Sequence, residues 1–122
     1  MDILLINPYQ SARKGNIWTS IQGEMPPLGL AYISAYLDAK GIGSRIIDMN
    51  VEQGDAEEQV SRIAGSPDII GITSMTSAVL NGLEIAEKCR ERFPKAKIVF
   101  GGVHATVMPE DILSRDFVCL LY

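Results

Sequence analysis

The stretch Asp68-Ile69-Ile70-Gly71-Ile72-Thr73-Ser74-Met75-Thr76-Ser77 decides the fold. Its first six residues are a short run rich in β-branched side chains, restarted by Pro67, and read as a strand over 68–73 buried on both faces. Thr76 or Ser77 can then cap a helix that buries Val79, Leu83, Ala86, Cys89 and Phe93 and stops before Pro94. Outward from this unit the same alternation repeats. Ile3–Ile6 is a first strand, and Pro27 opens a helix whose apolar face is Leu28, Leu30, Ile33, Tyr36 and Leu37, with Gly41 as C-cap. Arg45–Asp48 is a second strand. Asp55, with Glu58 three residues on, begins a helix lined by Ala56, Val60, Ile63 and Ala64. Lys97–Phe100 is the fourth strand, Pro109-Glu110-Asp111 opens a short fourth helix, and Phe117–Leu121 is the fifth strand. Five strands alternating with four helices predict an α/β fold: a flavodoxin-like (Rossmann-like), doubly wound parallel five-stranded sheet of order 2-1-3-4-5.

The 122 residues have room for one domain and not for a multidomain enzyme. Eleven basic and fifteen acidic side chains give a net charge of −4 without a basic stripe, which argues against nucleic acid as partner. Cys89 and Cys119 lack metal-binding spacing and read as buried thiols of a reducing, cytoplasmic compartment. No signal peptide or membrane span is visible.

In such a sheet ligands bind at the carboxyl ends of the strands, near the reversal of strand order. The loop after strand one, Asn7–Pro26, far exceeds the usual two to six residues and carries Tyr9, Ile17, Trp18, Ile21 and Met25. The loop after strand three is Thr73-Ser74-Met75-Thr76-Ser77, whose hydroxyls either hold a polar group or simply cap a helix. The loop after strand four begins Gly101-Gly102, where missing side chains allow close backbone approach. It also holds His104, the chain's one histidine, which reads as a hydrogen-bonded turn residue before a metal ligand. Gly82 reads as a close helix–sheet contact. Gly41-Ile42-Gly43 follows a helix and is no dinucleotide fingerprint. A receiver domain is excluded, because Asn7-Pro8 and Thr73-Ser74 stand where its acids belong. No Ser or Cys partner for His104 is evident, so the chain by itself is expected to bind rather than catalyse.

Ile6-Asn7-Pro8, Met25–Ile33 (MPPLGLAYI), Asp68–Ser74 (DIIGITS) and Val99–Thr106 (VFGGVHAT), followed by Pro109-Glu110, resemble the N-terminal cobalamin-binding domain of cobalamin-dependent radical SAM enzymes. The resemblance spans nearly the whole chain. It implies a base-off cobalamin whose nucleotide tail enters the carboxyl edge, with Ser74 and Gly101-Gly102 in the places that line the tail. The cofactor-binding residues it suggests are Asn7, Pro8 and Tyr9 after strand one, Thr73, Ser74, Met75 and Thr76 after strand three, and Gly101, Gly102, Val103, His104 and Thr106 after strand four. Two departures stand out. The wider superfamily's Asp-x-His-x-x-Gly loop is absent, so cobalt would lack that His, and apolar loop residues such as Tyr9, Trp18 or Met25 would cover the corrin instead. The cysteine triplet for a 4Fe-4S cluster is absent too, so residues 1–122 are expected to be the N-terminal part of a longer protein. Its radical SAM barrel would carry the cluster, S-adenosylmethionine and a small-molecule substrate, and the parent would often be a methyltransferase. The alternatives are a degenerate scaffold or substrate-recognition domain of the same family, or an FMN- or nucleotide-binding flavodoxin-like domain.

Overall fold

The computed structural model describes residues 1–9, 27–51, 54–116, 118 and 120–121. Four parallel strands, β1 (Ile3–Asn7), β2 (Ser44–Asp48), β3 (Ile69–Thr73) and β4 (Lys97–Gly101), lie in the order β2-β1-β3-β4. Their register sets Leu5 beside Ile46 on one side and Gly71 on the other, and Ile72 beside Phe100. Leu120–Leu121 (β5) pair in parallel with Val99 and Phe100. The rest of the strand expected over 117–121 lies partly outside the described residues, as does Cys119. The architecture is α/β and flavodoxin-like.

Helices α1 (Leu28–Ala39), α2 (Ala56–Ser61), α3 (Val79–Arg92), α4 (Val103–Val107) and α5 (Pro109–Leu113) connect the strands. Alternation along the strands sends side chains to two layers. Leu4 and Ile6 point into the larger layer with Val60, Leu83, Ile85, Ala86, Cys89 and Phe100. Ile3 and Leu5 point the other way, onto Leu30. Full burial of Ile3–Ile6 on both faces matches the continuous apolar run in the sequence.

Local chemistry explains the boundaries. Asp55 Oδ1 accepts from the Glu58 amide at 2.8 Å, which caps α2 as the spacing predicts. Ala64, expected on the inner stripe, is exposed because α2 ends at Ser61. The Arg92 guanidinium reaches back from α3 to the carbonyls of Val60, Ser61 and Ile63 and satisfies groups that the end of α2 leaves open.

Two helical expectations are corrected. Neither Thr76 nor Ser77 caps α3: a 3-10 turn, Thr76–Ala78, leads into it, and neither turn nor helix carries a side-chain cap bond. The apolar stripe on α1 is largely outside the core. Leu30 is buried and Leu37 partly so, whereas Leu28 is 70% exposed, Tyr36 60% and Ile33 47%. Among the described residues, Leu30 with the partly buried Leu37 packs on the cluster of Ile3 and Leu5. A further helix, α4, forms directly after Gly102 where the sequence suggested only a loop.

Candidate functional site at the carboxyl edge

The order β2-β1-β3-β4 places the reversal of strand order between β1 and β3, and because the strands are parallel their carboxyl ends and that of β4 meet at one edge. Asn7 and Pro8 leave β1 there. The Asn7 amide donates to Asp48 Oδ1 at 3.2 Å, and the same oxygen accepts from the Asn50 backbone and side chain at 3.0 Å each. Pro8 is fully buried, and its carbonyl accepts from Asn50 Nδ2 at 3.3 Å. The ends of β1 and β2 are thereby locked together.

Tyr9 turns inward. It packs against the larger core layer, and Asn81 Nδ2 donates to its carbonyl at 2.7 Å. Burial, and then the charge of Glu84, push its phenol above the ordinary value, while a backbone hydrogen bond involving Ala56 works in the opposite direction. The expectation that Tyr9 covers a ligand therefore meets a side chain half-buried toward α2 and α3. Trp18 and Met25, named with it, lie outside the described residues.

The loops after β3 and β4 interlock. Ser74 is fully buried, its amide and its hydroxyl both donate to the Gly101 carbonyl at 2.8 Å, and its own carbonyl accepts from the His104 amide at 3.1 Å. Gly102 has φ +94°, a region that L side chains avoid. A Cβ built there would stand 2.7 Å from Ser74 O, 3.0 Å from Ser74 N and 3.0 Å from Thr73 Oγ1. Its glycine is thus required by backbone conformation and by the packing of β3 against β4. Gly82 behaves as expected: its Cβ would meet Phe100, Ile72 and Pro8 at 3.4–3.6 Å.

His104 lies in α4 and is buried. Its Nδ1 is 3.2 Å from Thr76 Oγ1 and its Nε2 3.0 Å from Asp111 Oδ2. It is hydrogen-bonded, as the sequence suggests, yet it does have a hydroxyl partner, the threonine that failed to act as a cap. Asp111 was legible only as an acid in the first turn of α5. Its link to His104 spans two short helices, and no regular spacing announces it. Thr106 donates its hydroxyl to Gly102 O at 3.0 Å. Met75, Val103, Val107 and Met108 stand exposed around the edge. No group of three or more His, Cys, Asp or Glu side chains able to hold a metal ion occurs among the described residues.

The edge thus offers exposed apolar side chains and the exposed residue Thr76. Such a surface fits a broad ligand that is apolar with a polar periphery. Two shallow clefts flank α2 instead: about 150 Å³ by Ile47, Gln59, Arg62 and Ile63, and about 260 Å³ between α2 and the Lys88–Arg92 side of α3. No helix among the described residues is long and apolar enough to cross a membrane.

The B12 binding domain family matches residues 17–122. Over 94% of its length the chain is 31% identical to the anaerobic magnesium-protoporphyrin IX monomethyl ester cyclase of Rubrivivax gelatinosus. It is 30% identical over 97% of its length to an uncharacterized methyltransferase of Pyrococcus horikoshii. It is 29% identical over 92% of its length to the cytidylyl-2-hydroxyethylphosphonate methyltransferase of Streptomyces wedmorensis. The chain spans 20%, 25% and 24% of these three curated relatives, respectively. With the family model matched over residues 17–122, most of its length, the chain belongs to the B12-binding domain family.

Proposed function

We propose that residues 1–122 form the cobalamin-binding domain of a longer, cytoplasmic radical SAM enzyme, with the completed five-stranded sheet 2-1-3-4-5. The family match over residues 17–122 carries this reading. Base-off cobalamin would sit on the carboxyl edge, supplying a methyl-carrying or redox-active cobalt to the parent enzyme. Asn7, Pro8, Tyr9, Thr73, Ser74, Met75, Thr76, Gly101, Gly102, Val103, His104 and Thr106 frame that edge. Met75 and Val103 offer apolar surface and Thr76 is an exposed residue with a hydroxyl, whereas Ser74, Gly102 and His104 hold the loops in shape. The stretch Asn7–Pro26 contains no histidine, so cobalt would lack a His ligand from that loop, and His104, engaged with Thr76 and Asp111, is not assigned to cobalt. The 4Fe-4S cluster, S-adenosylmethionine and the small-molecule substrate would belong to a barrel domain of the parent. The methyltransferase names of two relatives support methyl transfer as its reaction.

Titration with hydroxocobalamin, followed by absorbance, tests this. Saturable binding with a spectrum lacking His coordination is expected, and FMN should not bind. Val103→Asp, at an exposed position, should weaken binding about tenfold or more without unfolding the chain, since it places a charge against an apolar face. Absence of hydroxocobalamin binding by the folded chain, or a His-ligated spectrum, would overturn the reading. A degenerate scaffold is the second reading. It draws support from Ser74, whose fully buried hydroxyl is already used by Gly101.

A further inference from the structure

We propose that Asp111 and His104 are positioning residues that hold the Thr76 hydroxyl as a hydrogen-bond acceptor, at the carboxyl edge, for an N–H or O–H group on the ligand. This rests on the cobalamin reading and deepens it. The inference comes from the partners of a single buried ring. Asp111 Oδ2 lies 3.0 Å from His104 Nε2, and an ionised carboxylate offers only lone pairs, so Nε2 carries a proton. In the neutral imidazole that leaves Nδ1 as an acceptor. Thr76 Oγ1 is 3.2 Å away and supplies the hydrogen. A threonine hydroxyl has one hydrogen and two lone pairs, so the remaining capacity of Thr76 is acceptance alone.

An uncommitted hydroxyl can turn to donate or to accept; this one presents a single polarity. The ring is 5% exposed, whereas the Asp111 side chain is half exposed and Thr76 is an exposed residue, so a buried imidazole joins two residues that reach the surface. The three residues come from the turn after β3, from α4 and from α5, and the ring joins them. The ligand chemistry selected is that of primary amides and sugar hydroxyls, both of which fringe a cobalamin. The alternative tautomer, with Nδ1 protonated, would turn the Thr76 hydrogen outward and select acceptors instead.

The test joins nuclear magnetic resonance of the 15N-histidine-labelled chain, near pH 8, to hydroxocobalamin titration. His104 should show a protonated Nε2 and an unprotonated Nδ1. Asp111→Asn should erode that preference and weaken hydroxocobalamin binding about fivefold to tenfold. Thr76→Val should weaken binding by the same factor and leave the Nε2 proton in place, and Thr76→Ser should restore affinity. A protonated Nδ1 in the wild-type chain would overturn the proposal. So would unchanged affinity in Thr76→Val where the wild-type chain binds. If the wild-type chain fails to bind, the cobalamin reading falls and the ligand role falls with it, while the histidine spectrum still reports whether the Asp111–His104–Thr76 relay exists.

Discussion

A Cβ on Gly102 would stand 2.7 Å from the carbonyl oxygen of Ser74, and Gly102 already holds φ +94°. Two independent constraints therefore converge on one residue at the junction of β3 and β4. Gly102→Ala should destabilise the fold by about 2–4 kcal/mol, combining the left-handed backbone cost with overpacking, as read by urea denaturation. Gly102→Leu, an obvious probe of ligand approach on sequence grounds, will lose binding through misfolding. Val103→Asp and Thr76→Val are the informative ligand probes.

Ser74→Ala tests the clip between the same loops. It removes a buried hydroxyl from the Gly101 carbonyl but leaves the Ser74 amide on that oxygen, so the acceptor is not orphaned. A loss of about 1 kcal/mol is expected in chemical denaturation. A loss above about 3 kcal/mol would mean that the hydroxyl organises more than this one contact.

Asp55 and Arg92 serve opposite ends of α2. Asp55→Ala should cost about 1 kcal/mol by removing the N-cap, and Asp55→Asn should recover most of it. Arg92→Ala should cost about 1–3 kcal/mol, because three carbonyls lose a charged donor. Thermal unfolding monitored by circular dichroism distinguishes the two, since only the arginine also packs α2 against α3.

Burial pushes the Cys89 thiol up to about 12 from its ordinary 9.0, with Arg92 acting weakly in the other direction. The folded state therefore keeps a proton that the unfolded state releases. The associated stability is fully present below pH 9 and is lost as pH rises from there toward 12, by at most about 1.4 kcal/mol per pH unit from this group. Tyr9, also raised, adds loss of the same sign above its ordinary 10.0. Denaturation between pH 8 and 11 should show this decline, and a thiol reagent at pH 8 should leave Cys89 unmodified until the chain unfolds. Rapid modification of native Cys89 would contradict its burial.

What the sequence determined by itself was the order of elements, because it is written in short-range chemistry. Runs buried on both faces, such as Ile3–Ile6, the Asp55 cap and the Pro94 stop act within a few residues, and each is found in place. The resemblance rested on local signatures as well, among them Gly101-Gly102 and Ser74. Roles within those loops were decided by tertiary structure. Thr76 read as a helix cap, yet α4 brings His104 within hydrogen-bonding distance from 28 residues away. Ser74 stands where the resemblance puts a ligand contact, and the fold adds a bond from its hydroxyl to the neighbouring strand. The stripe on α1 read as core, yet Leu30 is its buried member while Leu28 and Tyr36 are exposed. A polar side chain bonds whatever the fold brings nearest, and an apolar face is buried only if the opposite layer is large enough to cover it. Both are properties of three-dimensional packing that no window along the chain contains.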